Sequence, residues 1–170
     1  MGYQTPTVNG EMKIAKMDAT KKQVFGWANV ANSWRTASGN GWELVPVIDT
    51  QQGIMEIGAL EDAAYSYVAD SRKNGEMHWD YYTGSPFEQV GYCIESMVFT
   101  KEKQEALGIP AGIVPEGWWM GVQVTNDEVW GKIASGLYTG MSIQGSIRYT
   151  DEIIADNELT NYDLPNKEEQ

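Results

Sequence analysis

Three short helical segments with recognisable end signals divide this chain, and they limit the folds that it can adopt. The segments are residues 60–74, 101–107 and 127–135. Thr100 and Asn126 precede the second and third segments and have side chains that cap helix N-termini. A glycine that can end a helix follows each segment: Gly75, Gly108 and Gly136. A composition with 18 Gly, 7 Trp and 9 Tyr favours strands and tight turns elsewhere, rather than a helical bundle.

The segments between these helices have extended patterns. Strands are predicted for residues 23–30, 42–49, 90–100, 118–125 and 138–150, a loop for residues 33–41, and irregular structure for the proline-containing residues 108–117. Strands separated by two or three short helices predict the α+β class. We expect a curled mixed sheet or a small β-barrel, edged by those helices.

The chain has the length of one domain, and its charge is concentrated at one end. We predict a globular domain at residues 1–150 and an acidic, flexible C-terminal tail at residues 151–170. The tail holds seven acidic residues and one basic residue, a balance of -6 within a net charge of -12. Such a composition is typical of a solvated segment, and a linker to a partner or to a removed segment is the alternative. The negative charge argues against direct binding of nucleic acid.

Several classes of protein are excluded by what the sequence lacks. No apolar stretch reaches the length of a membrane span, and residues 1–20 lack the apolar core of a signal peptide. The single cysteine, Cys93, allows no internal disulfide, which fits a reducing compartment. One histidine and one cysteine cannot build a structural zinc site, and neither a phosphate-binding loop nor an EF-hand spacing is present. We therefore expect an intracellular protein without a metal or an organic cofactor.

His78 is the only histidine, so any mechanism that couples a serine or a cysteine to a histidine must use it. The acidic neighbours Glu76 and Asp80 could raise its pKa or orient its ring. A surface histidine in a polar loop would have the same sequence pattern. The residue and its neighbours thus permit catalysis without requiring it.

Ser142 lies between Gly140 and Gly145 in a segment that is predicted to be extended. This spacing differs from the nucleophile elbow of α/β-hydrolases, which also needs a helix directly after the serine. Glycines beside a serine on a strand still allow a substrate backbone to approach. Cys93 lies within a predicted strand, where a buried structural thiol is more common than a nucleophile.

Seven sequence pieces occur in an order that resembles the XkdF-type prohead serine proteases of tailed phages and prophages. They are residues 49–53 (DTQQG), 60–65 (LEDAAY), 75–78 (GEMH), 94–99 (IESMVF), 117–122 (GWWMGV), 127–130 (DEVW) and 138–145 (YTGMSIQG). The resemblance implies a prohead protease, distantly similar to herpesvirus assemblin, with a β-barrel-like core edged by helices. It also implies that the protein trims scaffold, capsid or portal-associated proteins inside the assembling prohead, in the host cytoplasm.

The resemblance assigns catalytic roles as well. It implies that Ser142 is the nucleophile and that His78 is the general base, which takes and returns the serine proton. Assemblin-type enzymes use a second histidine as the third member, and this chain has none to offer. Phage relatives place an acid downstream of the serine. The candidates for the third member are Asp156 first, then Asp151, Glu158 and the strand residue Glu95.

Arg148, the only arginine after Ser142, is a candidate for support of the oxyanion, although a solvent-exposed strand arginine would look the same. The expected partners are phage scaffold, major capsid and portal proteins, without nucleic acid or membrane, and an oligomer is possible. Two other functions stay open at this point. One is a non-catalytic head-assembly or portal-binding module with the same fold, and the other is a small-ligand β-barrel.

Overall fold

The computed structural model describes residues 13–48, 53–76, 87–141 and 143 as an α+β domain. The strands are β1 (Ile14–Asp18), β2 (Gln23–Thr36), β3 (Trp42–Pro46), β4 (Lys73–Gly75), β5 (Gln89–Phe99) and β6 (Glu116–Val124). The helices are α1 (Ile57–Asp70), α2 (Lys101–Ala106) and α3 (Asp127–Ala134). Among the described helices none is long and apolar enough to cross a membrane.

The strands form one antiparallel sheet in the order β1-β2-β6-β5-β4, with β3 paired to β2. Asn32 of β2 pairs with Glu116 of β6 and with Pro46 of β3, so β3 occupies the edge of β2 opposite to β6. The predicted α+β class, with a sheet edged by short helices, is confirmed. The described strands pair only in the antiparallel sense and form an open sheet, not a closed barrel.

The hydrophobic core lies on one face of the sheet, beneath α1 and α3. The ring of Tyr67 in α1 packs edge-on against that of Trp118 in β6, with centroids 5.4 Å apart. Burial of side chains of this size is the main stabilising contribution to such a domain. The other buried members of the core include Val24, Ala28, Leu60, Ala64, Val90, Val98, Met120, Val122, Val124 and Val129.

The opposite face of the sheet carries a second set of aromatic side chains. Trp27 contacts Trp119 and Phe99 edge-on, at centroid distances of 5.5 and 5.8 Å. These rings are partly exposed, since no described helix covers this face. Side chains therefore pack on both faces of β6, which explains the uninterrupted run of residues without charged or amide side chains at 117–122.

Both predicted N-caps are confirmed. The Thr100 hydroxyl accepts a hydrogen bond from the backbone N–H of Lys103 at the start of α2. The Asn126 side-chain oxygen accepts bonds from the backbone N–H groups of Glu128 and Val129 in α3. Local side-chain chemistry thus sets where these two helices begin.

The sequence prediction was wrong at β1 and at the end of β2. The prediction included no element at β1, which is only five residues long and becomes a strand because it pairs with β2. Residues 33–36 were predicted as part of a loop, whereas they continue β2 and pair with β3. The indole N–H of Trp34 also donates to the carbonyl oxygen of Val114 at 2.6 Å, which holds this end of the strand.

Helix α1 ends earlier than predicted. Its apolar pattern suggested residues 60–74, but the helix stops at Asp70, and the N–H groups of Ser71 and Arg72 both donate to the carbonyl oxygen of Tyr67. Arg72 has a φ of 58°, a left-handed conformation that turns the chain out of the helix. Residues 73–75 then pair with β5, so tertiary pairing overrides helix propensity here.

Glu116 is a buried carboxylate that joins three elements. It is 6% exposed and accepts hydrogen bonds from the side-chain amide of Asn32 (2.7 Å) and from the backbone N–H of Lys101 (2.6 Å). Glu116→Ala should destabilise the fold by about 2–4 kcal/mol, because two partly buried hydrogen bonds to the carboxylate are lost. Urea unfolding measures this change, with the exposed Glu105→Ala as the control, expected within about 0.5 kcal/mol of wild type. Equal stability of both variants would contradict this role of Glu116.

Candidate active site

The described residues end close to the predicted catalytic pair. Ser142 and His78 lie outside them, as do the other predicted site residues downstream of the serine. The chain is described up to Glu76 before His78 and again from Phe87 after it, and at Met141 and Ile143 on either side of Ser142. The remaining site residues outside the described part of the chain are Arg148, Asp151, Asp156 and Glu158.

The segment that carries His78 connects β4 to β5. β4 is a three-residue edge strand, and Glu76 follows it directly. The chain is described again from Phe87, whose ring lies against Gly75, because a Cβ atom at Gly75 would be 2.9 Å from the Phe87 ring. The two ends of this connection therefore lie side by side, as in a β-hairpin. His78 occurs two residues after Glu76 in that connection.

The segment that carries Ser142 leaves α3 through a glycine turn. Gly136 has a φ of 77°, and the N–H groups of Leu137 and Tyr138 both donate to the carbonyl oxygen of Lys132. Such bonds satisfy the free carbonyl groups at the C-terminus of a helix. The turn directs the chain from α3 towards β1.

β1 then holds the segment just before Ser142. The N–H of Ile14 donates to the carbonyl oxygen of Thr139 at 2.7 Å, and Lys13 and Gly140 form an antiparallel bridge. Strand-like pairing at Thr139 and Gly140 is what the described residues show of the predicted strand 138–150. Met141 and Ile143, on either side of Ser142, pack against the hydrophobic core. Main-chain pairing therefore holds Thr139 and Gly140, and packing on the core holds Met141 and Ile143.

One carboxylate joins the two segments. Glu76 Oε1 accepts a hydrogen bond from the Tyr138 hydroxyl at 2.6 Å and from Lys132 Nζ at 2.5 Å. Lys132 also pairs with Glu128 at 3.0 Å, and its ammonium group lies 5.7 Å from the centre of the Tyr138 ring. A residue two positions before His78 thus contacts a residue four positions before Ser142. Local sequence patterns do not reveal this contact, because the partners are 62 residues apart in the chain.

The charges in this cluster are fixed by their hydrogen bonds. The bonds from Lys132 and then Tyr138 lower the pKa of Glu76, so this carboxylate is ionised at neutral pH. The bonds to Glu76 and then Glu128 raise the pKa of Lys132, and the bond to Glu76 raises the pKa of Tyr138. Lys132 therefore stays protonated at neutral pH and is not suited to act as a general base.

Glu95, the strand residue among the candidates for the third catalytic member, lies on the face of the sheet opposite to Tyr138, Met141 and Ile143. It pairs with Gly121, and its carboxylate accepts a bond from the indole N–H of Trp119 at 2.8 Å on the open face of the sheet. Tyr138, Met141 and Ile143 pack against the core on the other face. The catalytic role of Glu95 stays a prediction, while its observed contact is a structural one with Trp119.

Cys93 has the structural role that its sequence context suggests. The thiol is half-buried against the core and donates to the carbonyl oxygen of Glu95 at 3.2 Å. Burial raises the pKa of this thiol, which opposes formation of a nucleophilic thiolate. Among the residues that the structure describes, no three histidine, cysteine or carboxylate side chains cluster as metal ligands would.

Comparison with known proteins identifies a family. The model of the family described as "Putative phage serine protease XkdF" matches residues 12–151, which include the whole described sheet and both predicted catalytic residues. No curated protein and no solved structure matches the chain significantly.

Proposed function

The chain belongs to the XkdF family of phage serine proteases, and we propose that it is a serine endopeptidase that trims head proteins during phage head maturation. Ser142 is the nucleophile and His78 the general base in this proposal. The observation that supports it most is the hydrogen bond between Tyr138 and Glu76, since it holds together the two segments that carry these residues.

Covalent geometry limits how far the two candidate residues can lie from the residues of this contact. The Cα atom of His78 lies at most about 7 Å from that of Glu76, and that of Ser142 about 3.8 Å from that of Met141. The two candidates are therefore attached to parts of the fold that already meet. This supports a serine–histidine pair, in which the two side chains must come within hydrogen-bond reach.

The chemistry follows the general scheme of serine acyl transfer. Ser142 Oγ attacks the carbonyl carbon of the scissile peptide bond, while His78 accepts the hydroxyl proton and then donates it to the leaving amine. Water hydrolyses the acyl-enzyme with His78 again as base. Asp156 orients the imidazole as the third member, and Arg148 supports the oxyanion.

The substrates in this proposal are scaffold, major capsid and portal-associated proteins inside the assembling prohead, in the host cytoplasm. The net charge of -12 supports a protein partner over nucleic acid, because phosphate groups would be repelled. The resemblance to prohead proteases supports the choice of head proteins.

Co-expression with candidate substrates tests the proposal. Wild type and Ser142→Ala would each be expressed with the scaffold, capsid and portal proteins of the same phage, and intact masses compared. Trimmed chains are expected with wild type and intact chains with the variant, at equal soluble yield, because the substitution removes only one oxygen atom. Identical masses in both samples, alongside normal head assembly, would favour a non-catalytic assembly module.

A further inference from the structure

Two clusters in this fold have the same chemical composition but different surroundings. The first, here called the Glu76 clamp, consists of Glu76, Lys132 and Tyr138. The second consists of Glu61, Lys103 and Tyr65, in which Glu61 Oε1 likewise accepts bonds from the lysine ammonium group and, at 2.6 Å, from the tyrosine hydroxyl. In both, the lysine lies over the tyrosine ring.

The two clusters join different kinds of elements. The Glu61 cluster links α1 to α2, and its lysine also donates to the carbonyl oxygen of Val98 in β5. The Glu76 clamp links the end of the short strand β4 to the C-terminal end of α3 and to the segment after it. In the sequence, Glu76 lies two positions before His78 and Tyr138 four positions before Ser142, whereas every residue of the Glu61 cluster is more than ten positions from both.

β4 by itself gives Glu76 little support. It pairs with β5 through residues 73–75, with a register shift between Asn74 and Gly75. Short edge strands of this kind open at a low free-energy cost. Tyr138, by contrast, follows a helix end that is fixed by bonds to the Lys132 carbonyl oxygen and by the Ile14–Thr139 pairing. The clamp therefore ties a weakly held segment to a firmly held one.

The side chains of the clamp are partly shielded from solvent. Lys132 and Glu76 have side-chain exposures of 28% and 34%, and one carboxylate oxygen receives both donors. Two donors on one oxygen define its position more closely than a single exposed ion pair does.

We infer that the Glu76 clamp positions the His78 segment against Ser142, so that Glu76, Lys132 and Tyr138 are positioning residues of the protease. The inference rests on the proposed function. The clamp contributes to the rate by holding the base and the nucleophile in register, and a small displacement of such a pair is costly.

Labelling with a fluorophosphonate probe tests this role without a known substrate. In the reaction Ser142 Oγ bonds to phosphorus, fluoride leaves, and His78 takes the hydroxyl proton; mass spectrometry of peptides locates the adduct. Tyr138→Phe removes only the hydroxyl of the clamp, and Tyr65→Phe makes the same change in the Glu61 cluster. Tyr138→Phe should lower the maximum labelling rate by about tenfold, with the half-saturating probe concentration within about twofold, whereas Tyr65→Phe should change neither.

Charge variants of Lys132 give a second comparison. Lys132→Arg keeps the ion pair with Glu76 and should retain most of the labelling rate, while Lys132→Met should lose about as much as Tyr138→Phe. Thermal unfolding of all variants checks that they remain folded. A merely structural role would make the fall in rate follow the fall in stability, in both clusters alike.

The single histidine allows a measurement that is independent of turnover. His78 gives the only imidazole resonances in the NMR spectrum of the chain. Ser142→Ala should shift them when the clamp is intact, and should shift them much less in a Tyr138→Phe background. This tests whether the clamp brings the two residues together.

The outcomes separate the inference from the proposed function. If wild type is labelled on Ser142 and Tyr138→Phe reacts as fast as wild type, the clamp has no positioning role and the protease proposal stands. If wild type is not labelled and Ser142→Ala leaves the His78 resonances unchanged, the serine mechanism fails and the role of the clamp fails with it.

Discussion

Ser142→Ala and His78→Ala should each lower the rate of peptide cleavage by about four to six orders of magnitude, and the double variant should lower it no further. The reason is that nucleophile and base act as one unit, so the loss of either removes the same step. The measurement is the single-turnover rate on a protein substrate that wild type cleaves. Thermal unfolding is the control, and Ser142→Ala should cost no more than about 1 kcal/mol. Additive losses in the double variant would contradict a coupled pair.

The third member of the site can be identified by the same assay. The amide variant of the acid that orients His78 should lower the rate by about four orders of magnitude with the fold intact. Asp156 is our first candidate, and the comparison set is Asp151, Glu158 and Glu95. Glu95→Gln is expected to act on stability instead, since its carboxylate binds the Trp119 indole. Unchanged rates in all four variants would make the site a Ser–His dyad.

The elements that the sequence predicted well are those with strong local signals. Helices α2 and α3 have N-cap side chains directly before them, and these caps form the expected bonds. Residues 117–122 of β6 have no charged or amide side chain, because side chains pack on both faces of this strand. Such features depend on residues within a few positions of each other, which is the range that pattern analysis reads.

The elements that the sequence missed depend on distant partners. β1 becomes a strand because β2 offers it an edge. Helix α1 stops at Asp70, and residues 73–75 pair with β5 instead. Propensity within a window of the sequence cannot report an edge that is formed by another segment.

The residues of the candidate site also could not be predicted from local sequence patterns. The assignment of Ser142 and His78 comes from the order of family motifs, and no local pattern would have selected them. Glu76 was considered as a neighbour of His78, but its contacts with Lys132 and Tyr138 span 56 and 62 residues. Only the fold brings these side chains together.

Gly26 is the position where a single added methyl group should disturb both stability and activity. It lies on β2 beneath the start of β1, where the two backbones approach closely. A Cβ atom at Gly26 would be 2.7 Å from the backbone oxygen of Lys13, 3.2 Å from Met141 Cε and 3.3 Å from the backbone nitrogen of Ala15. The first contact is with main chain, so β1 must move to relieve it.

Because Ile14 pairs with Thr139 and Lys13 with Gly140, and Met141 precedes the proposed nucleophile Ser142, we expect movement at Gly26 to affect the serine. Gly26→Ala should therefore destabilise the fold by about 1–3 kcal/mol through overpacking and lower the rate of fluorophosphonate labelling at Ser142 by about 10- to 100-fold through displacement. The matched control is Gly58→Ala in α1, where the nearest atom to an added Cβ is 3.9 Å away and a helical alanine should be neutral or stabilising. Urea unfolding and the labelling rate are measured on both variants. A Gly26→Ala protein with wild-type labelling and reduced stability would show that β1 does not position Ser142, since the strand would then have moved without affecting the serine.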